Sequence, residues 1–589
     1  MKFHICQTLA QVEEAVKQIP EVVAIDTEFV KGNPRTTRLL AIIIADSEQA
    51  WYFPWYIADE TCIDNHKYWD TIRDIIESRK AIFLQDYNHC DTIILYKHGI
   101  DIRDKQVYNL IDMHHLIDEN ANHSLDTRVK EVFNDPYKEI FWGKYQNYED
   151  APESEATEYA CKDAIYTYRL GVKDLQQVPT DLYQHVKSLG RSLLETELNG
   201  LKVNLRLIQE TKDSLDTEIQ AYLPKLKEEF YEQTEIWELQ EWAKEISKRK
   251  SNDGRLRVQR PVFNFDSDKQ IAWLVYEALK CPALVKTKTG NPSTNSEALL
   301  ALSESRPALK TLCQYKETKA IYNTFVEGML TRVENNRIYP HFNVSGTATG
   351  RLSHSDPNMG NLPKTGVIRN FFIPDVEMAI IGADYSQLEV VIEANLTNDP
   401  NLIRILTEGA SKHDITAEGL GIDRNQAKTL NFALQYGAGA GKVGKILGVS
   451  KHEAEDIFRR YWELYSGINA LKEKVNEEIE RTGQITNLAG RTRHFPRPRD
   501  KYEMYRQQRQ AYNFLIQGVA AECCNRAFYR YGKGLFSVHD EIVAQVPIAD
   551  AETEKARLIQ VMENISKDFN FKYSLKAVAY GPFDCWKKT

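Results

Sequence analysis

The run EVVAIDTEFV, Glu21 to Val30, sets the strictest condition on the fold. Its β-branched and apolar residues read as a strand, yet Asp26 and Glu28 sit inside it, two residues apart. In a strand both side chains leave the same face. Two carboxylates buried side by side repel, and one takes up a proton unless a cation resolves the conflict. Hard oxygen donors suit magnesium or manganese. Alone, an Asp-x-Glu step is common on exposed strand edges, so the condition needs support from elsewhere in the chain.

The surroundings supply it. Residues 1 to about 178 alternate strands (EVVAIDTEFV, LLAIIIAD, AWYFPW, KAIFLQDY) with helices such as SEATEYACKDAIYTYRLGVKDL, the pattern of an α/β layer domain. Asp91 opens a helical apolar pattern, and Tyr159 and Asp163 lie four apart on one helix face. Four acids with a tyrosine one turn away form a set that holds two metals, activates a water and stabilises the leaving oxygen of a phosphodiester.

From about 180 to 335 the chain reads as long, charged helix with a break near Ser251–Gly254. In KTKTGNPSTNSEAL, Ser293 or Thr294 is the expected helix cap. Strands return after 336 in RIYPHFNV and EMAIIGADYSQLEVVI, and a helical block at about 400–482 interrupts them. FSVHDEIVAQV then reads as a hairpin with His539, Asp540 and Glu541 at its tip.

The 589 residues suggest three to five domains, and no apolar run approaches a membrane span. The first twenty residues lack a signal-peptide core. Nine scattered cysteines without a CxxC pair point to reduced thiols in the cytoplasm rather than a zinc site or disulfide frame. A net charge of −9 does not exclude nucleic acid, because binding depends on where the basic residues lie. Lys248–Arg260 and Gly490–Arg509 are locally basic, the second with interleaved aromatics.

A second constellation follows. Asp384 ends an apolar strand run. Arg424, Lys428, Phe432 and Tyr436 recur every four residues, one helix stripe of two cations then two rings. That order suits a nucleoside triphosphate, with cations at the phosphates and rings at sugar and base. Arg509, Asn513 and Gln517 form another row, and Arg351 lies in a loop of small residues. Such donors meet the minor-groove acceptors N3 and O2, which every Watson–Crick pair offers.

Taken with DTE, Asp91 and YACKD, the first set resembles the three motifs of the DEDDy class of 3′–5′ exonucleases. TGRLS with DPN, DYSQLE, RNQAKTLNFALQYG, NFLIQG and VHDE, in this order, resemble the family A DNA polymerases. The resemblance implies a multidomain α/β and α+β chain: a ribonuclease H-like exonuclease domain (1–178) followed by a right-hand polymerase domain. Its parts would be a thumb at 179–340, a palm at 341–392 and 500–589, and fingers at 393–499. The Lys248–Arg260 run would lie near the thumb tip. Two magnesium ions per active site, or manganese, are implied. Asp26 would bridge the exonuclease pair, Glu28 and Asp163 would hold the metal carrying the water, Asp91 the other, and Tyr159 would orient the water. Asp384, Asp540 and the carbonyl of Tyr385 would hold the polymerase metals, with Glu541 secondary and His539 at the primer end. Lys428 would protonate pyrophosphate and Arg424 would contact the γ-phosphate. Glu389, against Tyr436, would exclude a ribose 2′-hydroxyl, with Gln387 beside the substrate. Phe432, not tyrosine, implies discrimination against dideoxynucleotides, which Phe432→Tyr should reverse.

Implied partners are primer-template DNA, deoxynucleoside triphosphates and a single-stranded 3′ end, with no membrane; helicase, primase and processivity partners are not readable. Asp26 lies too near the start to leave room for a 5′-nuclease domain, so a phage-type replicase or bacterial large fragment is expected, in bacterial or phage-infected cytoplasm. Departures from the family pattern are Tyr87 in place of asparagine, Gly360 and Ser537 in place of glutamines, Val391 in place of arginine and Thr416 in place of histidine. Two other readings are an exonuclease with a non-catalytic polymerase-like domain and a single-subunit RNA polymerase. Intact Asp384, Lys428 and Asp540 oppose the first; Glu389 and the exonuclease motifs oppose the second.

Overall fold

Six strands near the start of the chain assemble into one mixed sheet in the order β1-β4-β3-β2-β5-β6. They are β1 (Lys2–Ile5), β2 (Val22–Phe29), β3 (Leu39–Ala45), β4 (Gln49–Pro54), β5 (Ala81–Leu84) and β6 (Gln106–Asn109). The structure is a computed structural model and describes residues 1–55, 65–87, 89–249, 260–287, 289–363, 366–435 and 438–587. β2 runs antiparallel to β3 and parallel to β5, so the acid-bearing strand is central. Alternation assigns its two faces: Val23 and Ile25 enter a core with Leu39, Ile42 and Ile44, while Asp26 and Glu28 leave the other way. Each fully buried aliphatic of that core contributes about 1.5–3 kcal/mol. The helix Glu153–Leu175 packs across β2, β3 and β4.

The chain divides into two compact units, Met1–Leu201 with Tyr339–Asn361 and Pro374–Thr589, and Lys202–Ile338 with Leu362–Ile373. The first holds a second sheet of four antiparallel strands, ordered Gly534–Val538, Glu541–Pro547, Met378–Tyr385, Ala577–Phe583. A block of helices lies between its strands in sequence: Pro400–Glu408, Lys412–Leu420, Arg424–Gln435, Ala440–Leu447, Lys451–Leu464 and Ser466–Thr482. Side chains fix several starts. Asp399 accepts from the N–H groups of Asn401 and Leu402, and Ser411 from those of His413 and Asp414. The second unit is helical around Leu226, Phe230, Phe263, Leu302 and Leu312.

Four readings change. EMAIIGADYSQLEVVI is not one strand. It stops at Tyr385, Gln387 turns with φ 53, and the helix Leu388–Thr397 follows. Asn295, not Ser293 or Thr294, caps the helix Ser296–Ser303 by accepting from Ala298 N–H at 2.9 Å. Glu541 begins a strand, so the hairpin tip is His539 and Asp540 alone. Thr180–Asn199, grouped with the thumb in sequence, is a helix of the first unit. The break at Ser251–Gly254 and most of the Lys248–Arg260 run lie outside the described residues. Among those described, no helix is long and apolar enough to cross a membrane.

Candidate functional site

Asp26 and Glu28 on β2 and Asp163 on the helix Glu153–Leu175 bring one carboxylate oxygen each within 4.8 Å of one another. Burial lifts the Asp26 carboxyl well above the carboxylate range, and the charges of Asp91, Glu28 and Asp163 lift it further. Glu28 is raised by burial and then by Asp163. Asp91, first residue of the helix Asp91–Lys97, stands beside this triangle, pushed up to about 7 by burial. Its Oδ1 accepts from Thr27 N–H at 3.1 Å and from Thr27 Oγ1 at 2.6 Å, which oppose that rise. An all-carboxylate set under this repulsion fits a hard divalent cation.

Sequence reasoning missed the helix Tyr137–Lys144. Tyr137 donates its hydroxyl to one oxygen of Asp163, and Lys138 Nζ donates to the other. Lys138 Nζ also lies 3.1 Å from the Tyr159 hydroxyl, and Trp142 Nε1 donates to that hydroxyl at 3.2 Å. Tyr159 is therefore fixed one turn from Asp163, as its spacing predicts. YKEIFW carried a weak signal, a lysine among aromatics, but not its destination. Tyr87 is buried, its hydroxyl raised chiefly by burial; Asn88 lies outside the described residues.

The second acidic pair forms at strand ends. Asp384 faces Glu541 in register, and Tyr385 N–H donates to the Asp540 carbonyl at 3.1 Å. Asp384 and Asp540, far apart in sequence, thus come from adjacent strand ends. Tyr385 turns its ring inward, its hydroxyl donating to the Met562 carbonyl at 2.9 Å. Glu541 is 2% exposed and accepts at Oε1 from the Tyr580 hydroxyl and, at 3.2 Å, from Trp586 Nε1. Its carboxylate is thereby engaged from the edge strand Ala577–Phe583, across the intervening strand Met378–Tyr385, and from Trp586 beyond it.

On the helix Arg424–Gln435, Arg424, Lys428 and Phe432 are exposed, Phe432 at 49%, opposite buried Ala427, Leu430 and Leu434. The stripe is therefore one accessible face. Tyr436 lies outside the described residues. Arg424 pairs with Asp414 at 2.7 Å. Asn431 anchors the buried face: its Oδ1 accepts from Thr416 and Tyr461 hydroxyls, each at 3.0 Å, and its Nδ2 is 3.1 Å from His413 Nδ1. Thr416 thus serves the helix, with the departure from histidine turned to packing.

Arg351 Nη2 donates to Glu389 Oε1 at 2.9 Å, a pair the sequence did not suggest. Gln387 is exposed ahead of it. Along the helix Lys501–Tyr531, Asn513 and Gln517 are the accessible positions in an otherwise buried run from Ala511 to Val519, and Arg509 continues their row. Arg509 and Asn513 border a cavity of about 490 Å³ walled by Trp462, Tyr502 and Tyr505. A second cavity, about 260 Å³, joins Arg351 and His539, and both small departures, Gly360 and Ser537, line it.

A family model described as DNA polymerase family A matches residues 228–583, and one described as 3′–5′ exonuclease matches residues 3–177. The thermostable DNA polymerase I of Thermus thermophilus is 32% identical over 411 residues, 65% of this chain and 46% of that protein. DNA polymerase I of Bacillus subtilis is 25% identical over 582 residues, 91% of this chain and 61% of its own. The chain spans about half the length of the Thermus relatives it matches. A solved structure, the POL domain of Pol1 from M. smegmatis in complex with DNA primer-template and dNTP, superposes with a TM-score of 0.76 at 19% identity. It covers 100% of this chain and 99% of that one, and shows the fold.

Proposed function

Because this chain belongs to DNA polymerase family A and carries a 3′–5′ exonuclease domain ahead of the polymerase region, we propose that it extends primers on a DNA template and edits their 3′ ends. The observation that carries this reading is two separate acidic centres in one chain, Asp26–Glu28–Asp163 and Asp384–Asp540.

In the editing site Asp26, Glu28, Asp91 and Asp163 would hold a divalent pair, and Asp384, Asp540 and the Tyr385 carbonyl would hold another. Magnesium, when bound, supplies positive charge to the attacking and leaving oxygens of a phosphodiester. The chain's own groups do the rest. Tyr159, steered by Lys138 and Trp142, orients the incoming water. Arg424 draws the γ-phosphate, and Lys428 gives a proton to departing pyrophosphate. Glu389 occupies the place of a 2′-hydroxyl, and Arg351, Arg509, Asn513 and Gln517 meet the minor groove. His539 meets the primer end. The division into thumb, palm and fingers given by the sequence is the arrangement this reading uses. Reduced cysteines accord with work in the cytoplasm on bacterial or phage DNA.

A labelled, mismatched primer tests it. Wild type should both extend and degrade. Asp26→Ala should extend only, and Asp540→Ala should degrade only. A chain that extends with neither deoxy- nor ribonucleotides overturns the reading, and ribonucleotide preference replaces it with an RNA polymerase.

A further inference from the structure

Lys138 places a positive charge inside the first acidic centre. Its Nζ donates to Oδ2 of Asp163, while the Tyr137 hydroxyl donates to Oδ1. Asp163 is one of the three acids that bring an oxygen within 4.8 Å of one another. The ion pair is buried, with 17% of the lysine side chain and 6% of the aspartate exposed, so salt screens it little.

The ammonium is also held in place. It lies 3.1 Å from the Tyr159 hydroxyl and 5.1 Å from the centre of that ring. Trp142 fixes the same hydroxyl, and Phe141, on the helix that carries Lys138, stacks on the Tyr159 ring with centroids 4.2 Å apart. The charge reaches beyond Asp163. Burial and then the other acids raise the carboxyls of Asp26 and Glu28, and Lys138 opposes both rises.

Two effects on a divalent ion follow, and they have the same sign. Lys138 relieves part of the repulsion among the carboxylates alone, so an ion has less repulsion left to relieve. Once an ion binds, the ammonium stands one carboxylate away from a double positive charge and repels it. Each weakens binding.

We propose that Lys138 is a built-in counter-ion that sets the divalent-ion affinity of the editing centre, holding it about tenfold or more below that of the four acids alone. This rests on the exonuclease part of the reading above. Excision then saturates at a higher magnesium concentration than the acids alone require.

Metal binding itself is the test. In the full chain, Asp384→Asn with Asp540→Asn disables the second acidic pair. Mn2+ titrated into this parent, followed by calorimetry or by loss of the free-ion electron paramagnetic signal, then reports the first centre. Lys138→Met and Lys138→Gln should each tighten the Kd for Mn2+ about tenfold or more, and Lys138→Arg, which keeps the charge, should stay within about twofold of the parent. In chains with the second pair intact, half-saturating magnesium for degrading single-stranded DNA should fall in the Met and Gln variants, whatever their maximal rates. Half-saturating magnesium for primer extension should not move, and extension also reports that the variants are folded. If the Met and Gln variants bind Mn2+ no tighter than the parent, or if Lys138→Arg tightens binding as much as they do, the counter-ion role is refuted and the exonuclease reading stands. If Asp26→Ala in the same background binds Mn2+ as tightly as its parent, the centre does not hold the ion and the exonuclease reading falls with the proposal.

Discussion

Lys138 brings a cation into carboxylates already set against ionisation. It touches Asp163 and Tyr159 together, so it ties the tyrosine hydroxyl to the acid beside it. Lys138→Met should lower single-strand degradation at least tenfold, within the range for a lost positioning or electrostatic group, and leave primer extension unaltered. Equal loss of both activities would mean a folding defect instead. Arg351 holds Glu389 at 2.9 Å. The pair is about a third exposed on each side, so it contributes less than about 1 kcal/mol to stability. Its effect should appear in selectivity: Arg351→Ala slows extension with both sugars, and the preference for deoxy- over ribonucleotides falls several-fold. An unchanged ratio in competition assays would separate the two residues. The acids were legible in sequence because a carboxylate within an apolar run is anomalous wherever it occurs. Lys138 and Thr27 were not, because a lysine in a charged stretch and a threonine in a strand are ordinary until packing delivers them to Asp163 and Asp91.

At the scale of elements, the long helix Lys501–Tyr531 has one position where it cannot carry a side chain. A Cβ at Gly518 would lie 2.4 Å from Asn487 Nδ2, on the turn between the strands Gln484–Thr486 and Thr492–His494. That turn leads to Arg491, whose guanidinium pairs with Glu522 at 3.0 Å with both side chains buried. Gly518→Ala should therefore move the hairpin and destabilise by about 1–3 kcal/mol, read as a lower Tm. The helix Arg424–Gln435 gives a second case. Asn431→Ala removes the acceptor for Thr416 and Tyr461 and should cost about 1–3 kcal/mol. Because the exposed stripe rides on this helix, KM for the triphosphate should rise more than it does in Gly518→Ala. Helices and strands with a clean period were readable, including β2 and the Arg424 stripe. EMAIIGADYSQLEVVI was not, since an apolar run has no period to lose. Its break depends on Gln387 adopting φ 53, which no hydrophobic pattern reports.

Across the whole molecule, the helix Thr180–Asn199 shows why a domain boundary was harder to read than a site. Its charged surface resembles the helices after it, but Leu194 and Leu198 complete the core of the first sheet. The Tyr183 hydroxyl accepts from Asn109 N–H at 2.9 Å. A fragment of residues 1–201 should thus melt higher and resist protease longer than one ending at 178; equal stability would assign the helix to the polymerase region alone. The same helix also serves that region: Thr196 Oγ1 donates to the Leu535 carbonyl at 2.5 Å, and His185 Nδ1 is 2.7 Å from the Tyr529 hydroxyl. Further along, Ser345 donates to Asp112 at 2.5 Å and Glu119 meets His494 at 2.9 Å. Both acidic centres are therefore carried by one body, stitched at several points. On the proposed reading a DNA end reaches one centre or the other by its own travel, and the outcome is a race between two first-order rates. Anything that slows the next addition, such as a scarce nucleotide or a poorly stacked terminus, lengthens the wait and raises the yield of excision with the nuclease untouched.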